Sequence, residues 1–116
     1  MDQVCLVLPV KAGHSGAARG FMEELETRRK AEYAVSERRI GIDKEAWYIA
    51  STPAGDQLVA YMETPDFGAA LAAFSASRDP FDLWFKRRLD EATGLDLNDP
   101  PAGMTLPELL SSYIAA

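Results

Sequence analysis

Apolar residues gather in three short runs separated by stretches of helical periodicity. The densest lies in Glu45–Thr64, EAWYIASTPAGDQLVAYMET. Val, Ile, Tyr and Trp crowd into Ala46–Ser51 and Gln57–Glu63, residue types that suit a pleated, half-buried surface. Pro53, Ala54, Gly55 and Asp56 supply the turn of a hairpin. Neither strand alternates cleanly. Trp47 and Ile49 point one way and Ala46, Tyr48 and Ala50 the other; Val59 and Tyr61 oppose Leu58, Ala60 and Met62. A sheet that is apolar on both faces must be covered on both. Gln3–Val10, QVCLVLPV, has the same character. It is expected centrally in the sheet, with Pro9 near its end where a missing donor does least harm.

Between these runs the pattern is helical. Ser15, in the loop KAGHSG, is placed to cap a helix from about Gly16 to about Glu37. Ala18, Phe21, Met22 and Leu25 form its apolar stripe. The stripe continues into Arg28, Arg29 and Glu32, and apolar Val35 returns only later. The second half therefore overhangs the sheet in solvent, or sends one of those charges into a pocket at the sheet's end. Thr64-Pro65-Asp66 predicts a helix start with Thr at N-cap and Pro at N1, burying Phe67, Ala70, Leu71 and Phe74. Asp79-Pro80 predicts another, with Phe81, Trp84, Phe85, Leu89 and Ala92 inward and Gly94 at its end. Leu95–Thr105 reads as a loop. Leu106–Ile114 has helical spacing from Pro107, whereas the sheet would take an edge strand there.

At 116 residues, 47% apolar and 26% charged, the chain is sized for one globular domain. The net charge of -6 repels nucleic acid and anionic membrane, so neither is expected as a partner. Arg28–Lys30, Arg38–Arg39 and Lys86–Arg88 have acidic neighbours and read as solvated helix faces. Cys5 is the only cysteine, which excludes an internal disulfide and fits a reducing, cytoplasmic setting. No run approaches the roughly 20 apolar residues of a membrane helix.

The order strand, helix, strand, strand, helix pair, tail predicts an α+β domain over residues 1–116, with 95–116 a C-terminal tail. Its sheet is antiparallel and ferredoxin-like, with helices on one face. The other apolar face then calls for a second subunit, two sheets packing about a twofold axis. Over Gln3–Gly94, the element order, the Gly55-Asp56 hairpin, the TPDF helix start and the run SRDPFDLWFKRRLDEATG resemble the dimeric α+β barrel superfamily. The resemblance is to a bacterial branch related to antibiotic-biosynthesis monooxygenases. It implies a homodimer that binds or transforms a small organic molecule between sheet and helices, in monooxygenase- or cyclase-like fashion. A non-catalytic dimeric regulator or scaffold is the alternative, and an acidic surface docking a basic partner is a third.

Chemistry-bearing residues are few. His14 is the only histidine, which leaves no multi-histidine metal site within one chain. It precedes a helix N-terminus beside Lys11 and Ser15, a setting for an anion or a neutral imidazole. Haem-binding relatives need an axial ligand; a loop histidine serves poorly, and no cofactor is expected. If Ser51 sits opposite Gln57, Trp47 faces Tyr61 and Glu45 faces Glu63, an acid pair suited to proton transfer unless an Arg such as Arg28 matches it. The candidates are thus His14 and Glu63 for catalysis and Tyr48, Tyr61, Trp84 and Arg28 for binding. No Ser-His-Asp order, phosphate loop, CxxC or HExxH occurs.

Overall fold

The computed structural model describes residues 1–102, 104 and 106–116. Its elements are β1 (Asp2–Pro9), α1 (Ser15–Glu26), α2 (Lys30–Ile40), β2 (Lys44–Thr52), β3 (Gly55–Thr64), α3 (Phe67–Ala76) and α4 (Pro80–Thr93). The strands form one antiparallel sheet in the order β1-β3-β2, an α+β arrangement compatible with a ferredoxin-like layer. The central strand is β3, not β1 as the sequence suggested. Residues 106–116 form neither helix nor ladder, and Leu109, Leu110, Tyr113 and Ile114 are exposed. Positions 103 and 105 of the expected loop lie outside the described residues. Among the described residues no helix is long and apolar enough to cross a membrane.

The β2–β3 hairpin turns more tightly than expected. Thr52 pairs with Gly55 across Pro53–Ala54, and Thr52 Oγ1 donates to the Gly55 carbonyl at 2.6 Å. Gly55 adopts φ +121°, where a side chain would be strained. Gly55 and Asp56 therefore belong to β3, and the register moves by one residue. Ser51 faces Asp56, Trp47 faces Ala60, Glu45 faces Met62 and Lys44 faces Glu63. The Glu45–Glu63 pair does not form, because these residues lie on opposite faces.

All four helices cover the face that carries Val4, Leu6, Trp47, Ile49, Leu58, Ala60 and Met62. Ala18, Phe21 and Leu25 of α1 pack with the α4 aromatics over Leu58. Ala70 and Phe67 of α3 pack with Val4, Leu6, Ala60 and Met62. The aromatic centre is Phe85, whose ring meets Phe21 and Phe74 edge-on at 5.0 and 5.3 Å. The opposite face presents Cys5, Val7, Ala46, Tyr48, Val59 and Tyr61; among the described residues no helix lies against it, and the tail at Pro107–Ser111 borders its Gln3, Cys5 and Tyr61 corner.

The predicted long helix is two. At Thr27 (φ -117°, ψ -99°) the backbone leaves the helix, and both the Thr27 N–H and its hydroxyl bond the Glu23 carbonyl. The apolar stripe ends at Leu25, so no burial rewards a straight continuation. The break re-aims α2, which buries Ser36 and half-buries Tyr33, Glu37 and Ile40. Ser15 does not cap α1; its hydroxyl donates to Asp56 at 2.7 Å. Thr64 does not cap α3 either. It is buried and donates to the Gly41 carbonyl at 2.7 Å, while Asp66 accepts from the Ala69 N–H at 3.0 Å. Asp79 and Pro80 start α4 as read, and Gly94 ends it at φ +83°.

Lys86 departs from the solvated face predicted for it. It is fully buried, and its Nζ donates to the carbonyls of Phe74, Ser75 and Ser77 at 2.8, 3.3 and 3.0 Å, capping α3. One turn earlier, buried Asp82 accepts from Ser36 and Ser77, each at 2.5 Å, and from Arg39. Burial alone would raise its pKa. The three donors and the Arg39 charge more than reverse that and hold it below the usual carboxylate range. This carboxylate joins α2, the α3–α4 link and α4. Asp82→Ala should cost about 3 kcal/mol, since it strands buried donors and an arginine, and Asp82→Asn should cost less. Urea unfolding at pH 7 measures both.

Candidate functional site

On β2, Glu45 and Trp47 are two residues apart and share the helix-facing side. On α2, Tyr33 and Glu37 are one turn apart and share the sheet-facing side. The α1–α2 break and the one-residue register together bring these four side chains to one place. Tyr33 Oη donates to Glu45 Oε2, and Trp47 Nε1 donates to the same oxygen at 3.0 Å. Glu37 lies within hydrogen-bonding reach of Glu45. Its own Oε2 is shut off from solvent and accepts no hydrogen bond.

The two carboxyls form a septum. On one side is a partly open apolar cavity of about 50 Å³ between sheet and helices, lined by Leu6, Ile42, Leu71, Phe74, Phe85 and Leu89. On the other is an open cleft of about 220 Å³ bounded by Leu25, Lys30, Tyr33, Ala34, Asp43 and Lys44. Glu37, Ile42 and Glu45 line both spaces.

Burial is the largest influence on both carboxyls and pushes both upward. Glu37 is raised to about 9, first by burial and then by the Glu45 charge. Glu45 is raised as well, burial outweighing the donors that oppose it. The same burial, with the Glu45 charge, pushes the Tyr33 phenol far above its usual range, so it stays a donor. The two carboxyls titrate as a pair. With two donors on Oε2, Glu45 is the better anion; Glu37, whose Oε2 receives none, is the better acid. Near neutral pH the pair holds a proton and carries at most one negative charge.

The residues singled out from sequence lie elsewhere. Tyr48, Tyr61 and Glu63 project from the open sheet face, not into the space between sheet and helices. Tyr61 Oη donates to Glu63 at 2.8 Å, and Lys44 and Gln3 flank Glu63 on the neighbouring strands. His14 is in the loop before α1, its Nδ1 3.1 Å from the Ala12 carbonyl oxygen. Trp84 is core, packed against Phe21 and Phe81 with the Arg29 guanidinium 4.1 Å above its ring. Arg28 is exposed and pairs with Glu24 at 3.0 Å, so it does not reach Glu45. Tyr33 and Glu37 were overlooked, although their four-residue spacing was visible. Among the described residues, no group of three or more His, Cys, Asp or Glu is arranged to hold a metal ion.

Compared with protein families, curated proteins and solved structures, the chain has no match.

Because the folded pair holds a proton that the unfolded chain releases above about pH 4.5, stability should decline as pH rises from about 5 towards 9. The slope is at most about 1.4 kcal/mol per pH unit for one proton. Glu37→Gln should flatten this limb. Urea unfolding of wild type and variant at pH 5.5 and 8.5 checks it, and the difference between the two proteins separates the pair from Asp82 and Lys86.

Proposed function

We propose that this chain is a small cytoplasmic protein of the dimeric α+β barrel type. It binds, and by proton transfer transforms, a small organic molecule at the Glu37–Glu45 septum. The observation that supports this reading most is the carboxyl pair itself. A half-buried acid and a half-buried base, unlike in environment, stand where an open cleft meets an apolar cavity. Glu37 has the proton-donor role, Glu45 the acceptor role, and Tyr33 and Trp47 orient Glu45. The pocket between sheet and helices agrees with what the resemblance implies, though its residues differ from those first favoured.

The dimer belongs to the same proposal. The row Val7–Val59–Tyr48 crosses the open sheet face, with Cys5–Tyr61–Ala46 beside it. Val7 is 43% and Tyr48 62% exposed, more than an isolated sheet of this size gains from. Two such faces meeting would cover both, and would turn Tyr48, Tyr61 and Glu63 into the barrel interior. The second reading is a non-catalytic dimeric module. The small size of the apolar cavity favours it, being well below the roughly 300 Å³ of a usual ligand pocket.

Sedimentation tests the pairing. Wild type should be a dimer at micromolar concentration, and Val59→Lys should weaken association by about tenfold or more, the effect of a charge at an interface centre. A monomeric wild type removes the barrel. Mass spectrometry and thermal shifts against a metabolite panel, on wild type and Glu45→Gln, separate the two functional readings. A hit abolished by E45Q supports the site; hits unaffected by it support the module.

A further inference from the structure

We propose that residues 107–116 of one copy fold as an amphipathic helix on the bare-face corner of a second copy, with Tyr113 and Ile114 in the trough beside Cys5 and Tyr61. The two tails are exchanged about the twofold axis. This rests on the proposed dimer and adds to it a segment that the sheet-to-sheet contact does not use.

Pattern and conformation disagree in this segment. Leu106, Leu109, Leu110, Tyr113 and Ile114 follow the i, i+3, i+4, i+7, i+8 spacing of one helical face, and Glu108, Ser111 and Ser112 fall outside it. Pro107 suits a first turn. A strand would split the apolar set, sending Leu109 and Tyr113 to one side and Leu110 and Ile114 to the other. Yet residues 106–116 form no helix, and Leu110 and Tyr113 are 84% and 89% exposed. A helix this short does not hold in water unless its apolar face is buried. The single chain carries the pattern without the surface that would fold it.

The missing surface lies at the edge of the sheet. Leu106 packs with Val4, Ala60 and Met62 on the helix-covered side, whereas Pro107–Ser111 border Cys5 and Tyr61 on the other. The segment therefore rounds the outer edge of β1, an edge strand of the sheet. Between it and the sheet is an open trough of about 410 Å³, walled by Gln3, Val4, Cys5 and Tyr61 and by Pro107–Ser111. Leu109 and Leu110 stand in that wall and remain exposed, so the chain's own tail does not fill the trough. Tyr113 and Ile114 take no part in the wall. The trough has room for two large side chains, and a second copy supplies them.

Area favours a copy of this chain as the occupant. Val7, Tyr48 and the four exposed tail residues leave on the order of 700 Å² of surface per chain, near the roughly 800 Å² that each partner gives to a standard interface. A twofold contact uses the same patch on both sides, so one exchange covers both tails and both corners.

Cross-linking and sedimentation of the full chain test this. Ile114→Cys, mildly oxidised, should form a disulfide-linked dimer through Cys5, the only native cysteine, and adding Cys5→Ala should abolish it. A product linked within one chain, a covalent dimer that persists without Cys5, or no linkage overturns the exchange. In sedimentation Leu110→Lys should weaken the wild-type dimer at least tenfold. Leu110 is exposed in the single chain, so this variant keeps its fold. Ser112→Lys, outside the helical face, should leave association unchanged. A loss equal to that of Leu110→Lys overturns the helical form, since a strand would set positions 110 and 112 on one side. A dimer weakened by Val59→Lys but indifferent to Leu110→Lys overturns the tail exchange and leaves the sheet-to-sheet pairing standing. A monomeric wild type overturns both.

Discussion

Everything in the candidate site depends on which β3 residue each β2 residue meets. The side-chain period of a strand is two, so a slip of one residue exchanges the partners on both faces. Here a single glycine decides the matter. Gly55, at φ +121°, lets the chain reverse over Pro53–Ala54 alone, so pairing begins at Thr52–Gly55. Trp47 then lies beside Ala60 and Ile49 beside Leu58, which places large side chains over small or aliphatic ones under the helices. Glu45 enters the same layer beside Met62, and Glu63 leaves it to face Lys44. A turn one residue longer would set Glu45 beside Glu63 and Trp47 beside Tyr61, forcing both tyrosine and acid against the helices or out of register with β1.

Placing a carboxylate under helices requires something to meet it, and the break between α1 and α2 supplies that. An unbroken helix would have carried residues 28–37 out over solvent. After Thr27 the chain returns, and α2 delivers Tyr33 and Glu37 towards β2. Its position is secured at the other end by Ser36 and Arg39, which meet Asp82 on α4. Three acids are thus handled in two opposite ways. Asp82 is surrounded by donors and an arginine and remains ionised. Glu45 has donors on one oxygen only, and burial makes it share a proton with Glu37. The first arrangement stabilises; the second costs stability at higher pH.

Much of the fold was legible from local pattern. The three strands, the Asp79-Pro80 start, the Gly94 stop and the inward face of α4 follow from periodicity and capping chemistry, which act within one turn. What was not legible depended on tertiary partners. Thr64 and Ser15 look like caps, but Gly41 and Asp56 offer better acceptors for their hydroxyls. Lys86 reads as surface in a KRR run, but three carbonyls at the end of α3 draw it inward. Of the site, Glu45 was visible as a strand acid amid aromatics. Its partner was not, because the four-residue spacing of Tyr33 and Glu37 is indistinguishable, in one sequence, from an ordinary half-buried helix face.

The two faces of the sheet thereby acquire separate tasks. The helix-covered face holds the acid pair half-buried, between an apolar cavity and an open cleft. The bare face is apolar in its middle rows and polar only towards its ends, at Gln3, Lys44 and Glu63 in one row and Gln57 in another. A face built for solvent would alternate, with charge in its central rows. Val7 and Tyr48, at the two ends of the Val7–Val59–Tyr48 row, are exposed hydrophobic side chains, and a sheet of three strands has little stability to spare for that. Cover for this face and tuning of the acids on the other are coupled through β2 and β3 alone, since Tyr48 and Trp47, or Tyr61 and Met62, are adjacent residues on opposite sides.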